Sequence, residues 1–122
     1  MDHWSVNDSR LGIVITCRGH DKQRRAAAAV TQFRQVARAR SGSYTVIADL
    51  CEMTGYESVS RQLWQEAFRA ERMRIRLLVL VGAQSTFIRM GASVVGAFAG
   101  VPVRFVDSWD DVEEAAREPA NG

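Results

Sequence analysis

Lysine is nearly missing from this chain. Lys22 is the only one, and the other fifteen of the 16 basic side chains are arginine. The basic excess is small, 16 against 14 acidic residues, so a net charge of +2 gives no strong bulk attraction to nucleic acid or an anionic membrane. Long apolar runs are missing too: no stretch approaches the ~20 uninterrupted apolar residues that a spanning helix needs, so no membrane span is expected. The opening M-D-H-W-S-V-N-D is too polar for a secretion signal. Cysteine is sparse. Cys17 and Cys51 form no C-x-x-C motif, and a reduced pair of thiols in a cytoplasmic setting is the expectation. The phosphate loop G-x-x-x-x-G-K-[ST] does not occur. His3 and His20 lack Cys, His or acidic neighbours at metal-ligand spacing, so no metal or cofactor is expected.

What is present reads as one α/β domain over 1–118, with a frayed tail at 119–122. The 122 residues are 47% hydrophobic and 25% charged, enough for one modest core. Trp4–Val6 and Leu11–Cys17 read as strands around the turn cluster Asn7-Asp8-Ser9, and Gly19-His20 read as a break. Asp21 stands as N-cap of a helix to about Arg40, whose apolar stripe runs Ala26, Ala29, Val30, Phe33, Val36, Ala37. Tyr44–Leu50 is a strand without alternation, as in a sheet covered on both faces. A second helix runs from Glu57 or Ser58 to about Met73 on a Val59, Leu63, Ala67, Ala70 stripe that Trp64 and Phe68 widen, with Thr54 and Glu57 as a capping box and Glu57–Arg61 as an i,i+4 pair. Ile75–Val81 is the most apolar strand and is expected at the centre. Ser85 or Thr86 opens a third helix that ends at Ala99-Gly100. Val101–Val106 is an edge strand, and Ser108 to Asp111 opens a short acidic helix. The order β-β-α-β-α-β-α-β-α implies a mixed, mostly parallel five-stranded sheet with about four helices.

Residues 47–64, I-A-D-L-C-E-M-T-G-Y-E-S-V-S-R-Q-L-W, form the one strand-to-helix junction dense in polar groups. This junction and the element order resemble a STAS domain, the fold of anti-sigma-factor antagonists. In that family a strand ends in Asp-Leu, a short loop follows, and Asp-Ser-Ser-Gly opens a helix. Here Asp49-Leu50 ends the strand and Glu57-Ser58-Val59-Ser60 opens the helix, so Val59 and Ser60 stand where the family has serine and glycine. From Arg89 onward the chain looks similar to a divergent STAS-like bacterial group. The resemblance implies a non-enzymatic signalling domain that acts by protein–protein contact, with a partner such as an anti-sigma kinase. It places Ser58 on the family's phospho-acceptor. The contact surface it implies comprises Asp49, Glu52, Thr54, Tyr56, Glu57, Ser58, Ser60 and Arg61, on a loop 51–58 and the helix start. A helix N-terminus accommodates phosphate; the plain alternative for Ser58 is an ordinary first-turn serine.

Other readings stay beside this one. Asp49 could be a receiver-type phospho-acceptor, but no acidic pair or late lysine accompanies it, and a carboxylate that accepts backbone N–H groups fits better. The arginine-rich first helix could bind nucleic acid, yet nothing aromatic interleaves it and a solvated face is expected. Helix 85–99 carries one charge, Arg89, and the small residues Gly91, Ala92, Ser93, Gly96 and Ala97; core packing explains it, and a homo-oligomer contact is the alternative. Trp64, Phe68, Phe87 and Phe98 could line a cavity, which would make the domain a small-molecule or lipid-binding module.

Overall fold

The computed structural model describes residues 3–117, so the expected tail at 119–122 lies outside the described residues. The sheet contains β1 (His3–Asp8), β2 (Ile13–Asp21), β3 (Tyr44–Tyr56), β4 (Ile75–Val81) and β5 (Val103–Val106), in the order β1-β2-β3-β4-β5. β1 pairs antiparallel with β2, and the other neighbours are parallel. The helices are α1 (Gln23–Ala39), α2 (Ser58–Ala70), α3 (Thr86–Ala99) and α4 (Val112–Arg117), the last preceded by a 3-10 turn at Trp109–Asp111.

This order decides the layers. Each crossover from β2 to β5 steps one strand in the same direction, so right-handed connections place all three crossover helices on one face. The larger core lies there: Ile13, Ile15, Val46, Leu78 and Leu80 meet Phe33, Phe68 and Val95. Its aromatic centre is Phe33, whose ring lies 5.3 Å from Phe68, 6.2 Å from Trp64 and 6.5 Å from Tyr44. Among the described residues, the opposite face has α4 as its one α-helix, with Val112 and Ala115 over Ile47, Leu77 and Val79. β3, not β4, is the middle strand.

Several boundaries differ from the sequence expectation. The β1–β2 turn is Ser9–Gly12, where each residue's backbone N–H bonds the other's carbonyl, so Asn7 and Asp8 stay in the strand. β2 runs on through Gly19 and His20, and β3 runs on to Tyr56, because the two extensions pair: Arg18 faces Glu52, Gly19 faces Met53 and Asp21 faces Tyr56. Register shifts between Thr16 and Arg18 and between Gly19 and His20 insert an extra β3 residue each time, the signature of bulges that bend a ribbon. The expected loop 51–58 is therefore strand up to Tyr56. In α2 the buried face is Ser60, Trp64, Ala67 and Phe68, while Val59 is 41% exposed. The buried face is thus centred on the two large rings, with Ala67 beside them and Leu63 packed partly buried at its edge. α3 follows the sequence closely: Ser85 accepts the Ile88 backbone N–H at 3.1 Å, and Gly100 ends the helix at φ 74°. The glycines of α3 serve internal packing. A Cβ on Gly91 would stand 2.4 Å from the Tyr56 hydroxyl, and one on Gly96 would stand 2.2 Å from Val103 Cγ2.

Candidate functional site

The residues singled out around the junction do not gather into one site. Asp49 belongs to the α4 face: its Oδ1 accepts the Cys51 backbone N–H at 3.0 Å and its Oδ2 accepts the Trp109 indole N–H at 2.9 Å. It organises backbone, as its position at a strand bend suggests, and also pins the turn before α4. Burial and the neighbouring Asp49 carboxylate push the Cys51 thiol up to about 11, which disfavours the thiolate form. Glu52 pairs with Arg18 across the ribbon at 3.2 Å, on the exposed surface, and Thr54 is exposed. Among the described residues, no group of three His, Cys, Asp or Glu side chains is placed to hold a metal ion.

The start of α2 is built differently from a capping box. Glu57 is the N-cap, but its side chain does not cap its own helix. Its Oε1 accepts the Gln23 backbone N–H at 2.7 Å, which satisfies one of the free donors at the start of α1. Asp21 is not the N-cap of α1 either; Lys22 is, and Asp21 ends β2 with 2% exposure. Its carbonyl accepts the Glu57 backbone N–H at 2.9 Å and the Ser60 hydroxyl at 3.0 Å. These bonds tie the first turns of α1 and α2 together. They also remove Ser60, fully buried, from any contact surface. Ser58 is exposed in the first turn. Tyr56 turns toward α3, its ring stacked 4.5 Å from that of Phe87.

Behind Tyr56 lies a cleft between the sheet, α2 and α3, with an interior of about 70 Å³. Its walls are almost wholly apolar, with Leu50, Leu80, Ile88 and Val95 among them, and Trp64 and Phe68 take part. Phe87 and Phe98 do not line it; they are 56% and 64% exposed. The cleft sits toward the carboxyl ends of β2 and β3, the side of a parallel sheet where ligands are commonly held. Five of the residues that line it carry a polar side-chain group: Trp4, Asp21, Tyr56, Arg61 and Trp64. Asp21 Oδ1 accepts the Trp4 indole N–H at 2.6 Å. Burial, followed by the repulsion of Glu57, outweighs that bond and pushes the Asp21 carboxyl up to about 7. Arg61 faces the cleft and forms no i,i+4 pair with Glu57, which is already engaged with α1.

Among solved structures the chain is similar to an uncharacterized protein of the DUF3478 family with a SpoIIAA-like fold from Shewanella loihica PV-4. The TM-score is 0.76 at 9% sequence identity, over 95% of each chain. The fold is SpoIIAA-like. It is the fold of STAS domains and anti-sigma antagonists, a single α/β layer arrangement with a mixed five-stranded sheet and four helices. The sequence matches no protein-family profile and no curated protein. Within the SpoIIAA-like fold, Asp21, the orientation of Arg61 and the capping of α1 by Glu57 are features that sequence reasoning missed. Each depends on a partner from a distant element. The one available signal was the pairing of Trp4 with an acidic residue at the far end of the neighbouring strand.

Proposed function

We propose that this chain is a non-catalytic STAS-type regulatory domain, acting in the bacterial cytoplasm by docking a protein partner over the start of α2. The observation that carries the reading is the exposure of Ser58 in the first turn of a helix that begins directly at the end of β3. Val59 beside it is also exposed, as are Phe87 and Met90 on the first turns of α3, so the surface offers apolar contact as well as a modification site. Phosphorylation of Ser58 would add about −1.5 to −2 charges at a helix N-terminus next to Glu57. That helix end tolerates the charge within the domain, while an acidic or apolar partner is repelled. A signalling kinase or anti-sigma protein fits this partner class. In affinity capture from native extract, Ser58→Asp should retain less partner than wild type while the thermal midpoint stays nearly the same. Equal capture by the two baits would reject the switch.

A second reading, a small-molecule or lipid-binding module, is favoured by the apolar cleft between α2 and α3. A homo-oligomer through α3 has only the exposed Phe87, Met90 and Phe98 in its support, since Gly91 and Gly96 pack internally. Lys22, Arg24, Arg25, Arg34 and Arg38 lie exposed along α1, a solvated face for which no nucleic-acid partner is proposed. No helix among the described residues is long and apolar enough to cross a membrane.

A further inference from the structure

Two carboxyl groups meet where α1 and α2 begin. Asp21 ends β2 opposite Tyr56 of β3, and Glu57 follows Tyr56 directly. The Asp21 side chain is buried, with Oδ1 on the Trp4 indole N–H at 2.6 Å. Glu57 is exposed, with Oε1 on the Gln23 backbone N–H at 2.7 Å. That bond closes the first turn of α1, because the N-cap residue Lys22 makes no side-chain bond there. The Asp21 carbonyl holds the other helix, accepting the Glu57 backbone N–H and the Ser60 hydroxyl. Each acid therefore serves the start of the helix that follows the other. An asparagine at position 21 could accept the same indole N–H without a charge to bury. The carboxyl adds the ability to gain and lose a proton.

Little around Asp21 is set to receive its charge. Among the described residues no cation is ion-paired with it. Arg18 of β2 pairs with Glu52 of β3, and Arg89, the one charge on α3, lies over the Phe105 ring. Lys22, Arg24 and Arg25 at the head of α1 are exposed. Arg61 of α2 is on the cleft wall, Tyr56 stacks on Phe87, and the His20 ring lies beside Gly55. We propose that Asp21 and Glu57 form a proton-operated latch joining the first turns of α1 and α2. With Asp21 protonated, its carboxyl stays on Trp4 and Glu57 stays on Gln23. When that proton leaves to solvent, two negative charges share the junction, one of them out of water. The exposed Glu57 relieves the repulsion by swinging off Gln23, and both helix starts loosen. Burial, with the Glu57 charge adding to it, pushes the Asp21 carboxyl up to about 7 against the Trp4 bond, so the latch is closed below neutral pH and open above it. It is a device of the fold and stands whether or not a partner docks at Ser58.

The test is a titration of the full chain labelled with nitrogen-15, from pH 5 to 9. The Trp4 indole, assigned by its loss in Trp4→Phe, reports on Asp21, and the Gln23 amide reports on Glu57. Both signals should move with one midpoint near 7. Protection of the Gln23 amide from hydrogen exchange, corrected for the intrinsic effect of pH, should fall about tenfold across it. Coupling is reciprocal, so Glu57→Gln should lower the Trp4 midpoint by about one pH unit. Asp21→Asn should flatten both signals; should that variant not fold, Glu57→Gln carries the test. His20 titrates in the same range, and His20→Gln should leave the transition in place. The latch is overturned if the Gln23 amide stays flat while the Trp4 indole titrates, or if neither signal titrates. It is equally overturned if Glu57→Gln leaves the Trp4 midpoint unmoved, or if His20→Gln abolishes the transition.

Discussion

Arg61 near the start of α2 and Arg74 just beyond its end carry the same side chain and are used in opposite ways. Arg74 donates from Nε to the Gly42 carbonyl at 3.1 Å and from Nη1 to the Ala37 carbonyl at 3.0 Å, and Nη2 bonds the Arg40 carbonyl. It pairs with Glu71 at 3.2 Å and lies 5.1 Å from the Tyr44 ring centroid. The Tyr44 hydroxyl in turn donates to the same Glu71 oxygen at 2.7 Å, and burial with that contact raises its pKa well above the usual tyrosine range. One guanidinium thus closes the carboxyl end of α1 and fastens it to β3, satisfying carbonyls that a helix end leaves free. At the other end of α2 the polar groups are equally sheltered, but Arg61 Nε and Trp64 Nε1 have no partner and Asp21 is held near neutrality. The first end is built for the fold. The second keeps polar groups in a state that folding alone would not favour.

The comparison can be broken or sharpened by measurement. The largest effect is expected from Asp21, whose carboxyl is raised from 3.8 to about 7 in the folded protein. The folded state therefore binds more protons than the unfolded one between these values, so stability is full below about pH 4, falls as pH rises toward 7 and is level above it. The polar groups that act on this carboxyl are the Trp4 indole from β1 and Glu57 at the start of α2. Chemical denaturation should show a loss of a few kcal/mol across that window, and Asp21→Asn should remove most of the slope. A wild-type profile flat from pH 4 to 7 would show that this end is not under polar strain. Next comes Arg74→Met, which removes the guanidinium from the Ala37, Arg40 and Gly42 carbonyls and from Glu71, leaving Ala37 its Arg40 N–H and Glu71 its Tyr44 hydroxyl. Because the side chain is about a third exposed, water replaces part of the loss, and a cost of roughly 2 kcal/mol is expected from urea unfolding. A cost near zero would remove the contrast from the structural side.

Much of the frame was legible because it rests on local signals. β4 is a short apolar run bounded by Gly82, and α3 has a serine cap and a terminal glycine, so both fall where their patterns place them. The resemblance carried by element order also led to the SpoIIAA-like fold. What failed rests on pairing between distant segments. Thr54 and Gly55 read as loop, yet β2 supplies a partner strand and makes them ribbon. Val59 read as core, yet it is 41% exposed, because the buried face of α2 turns toward Trp64 and Phe68, whose rings complete the cluster on Phe33. Asp21 and Glu57 each read as the cap of its own helix. In the structure the Glu57 side chain caps α1 and the Asp21 carbonyl receives the start of α2, an exchange that no i,i+3 pattern contains. The cleft was legible only as a pair of aromatic residues, Trp64 and Phe68.

The central claim is that Arg74 holds the fold together through its hydrogen bonds while Arg61, with its buried Nε unpartnered, does not. The most direct test is the unfolding free energy of Arg61→Met, measured beside wild type in urea. Removing a buried, unpaired donor while keeping its aliphatic volume should leave stability unchanged or raise it by up to about 1 kcal/mol. A loss of stability matching that of Arg74→Met would contradict the account and make Arg61 another structural arginine.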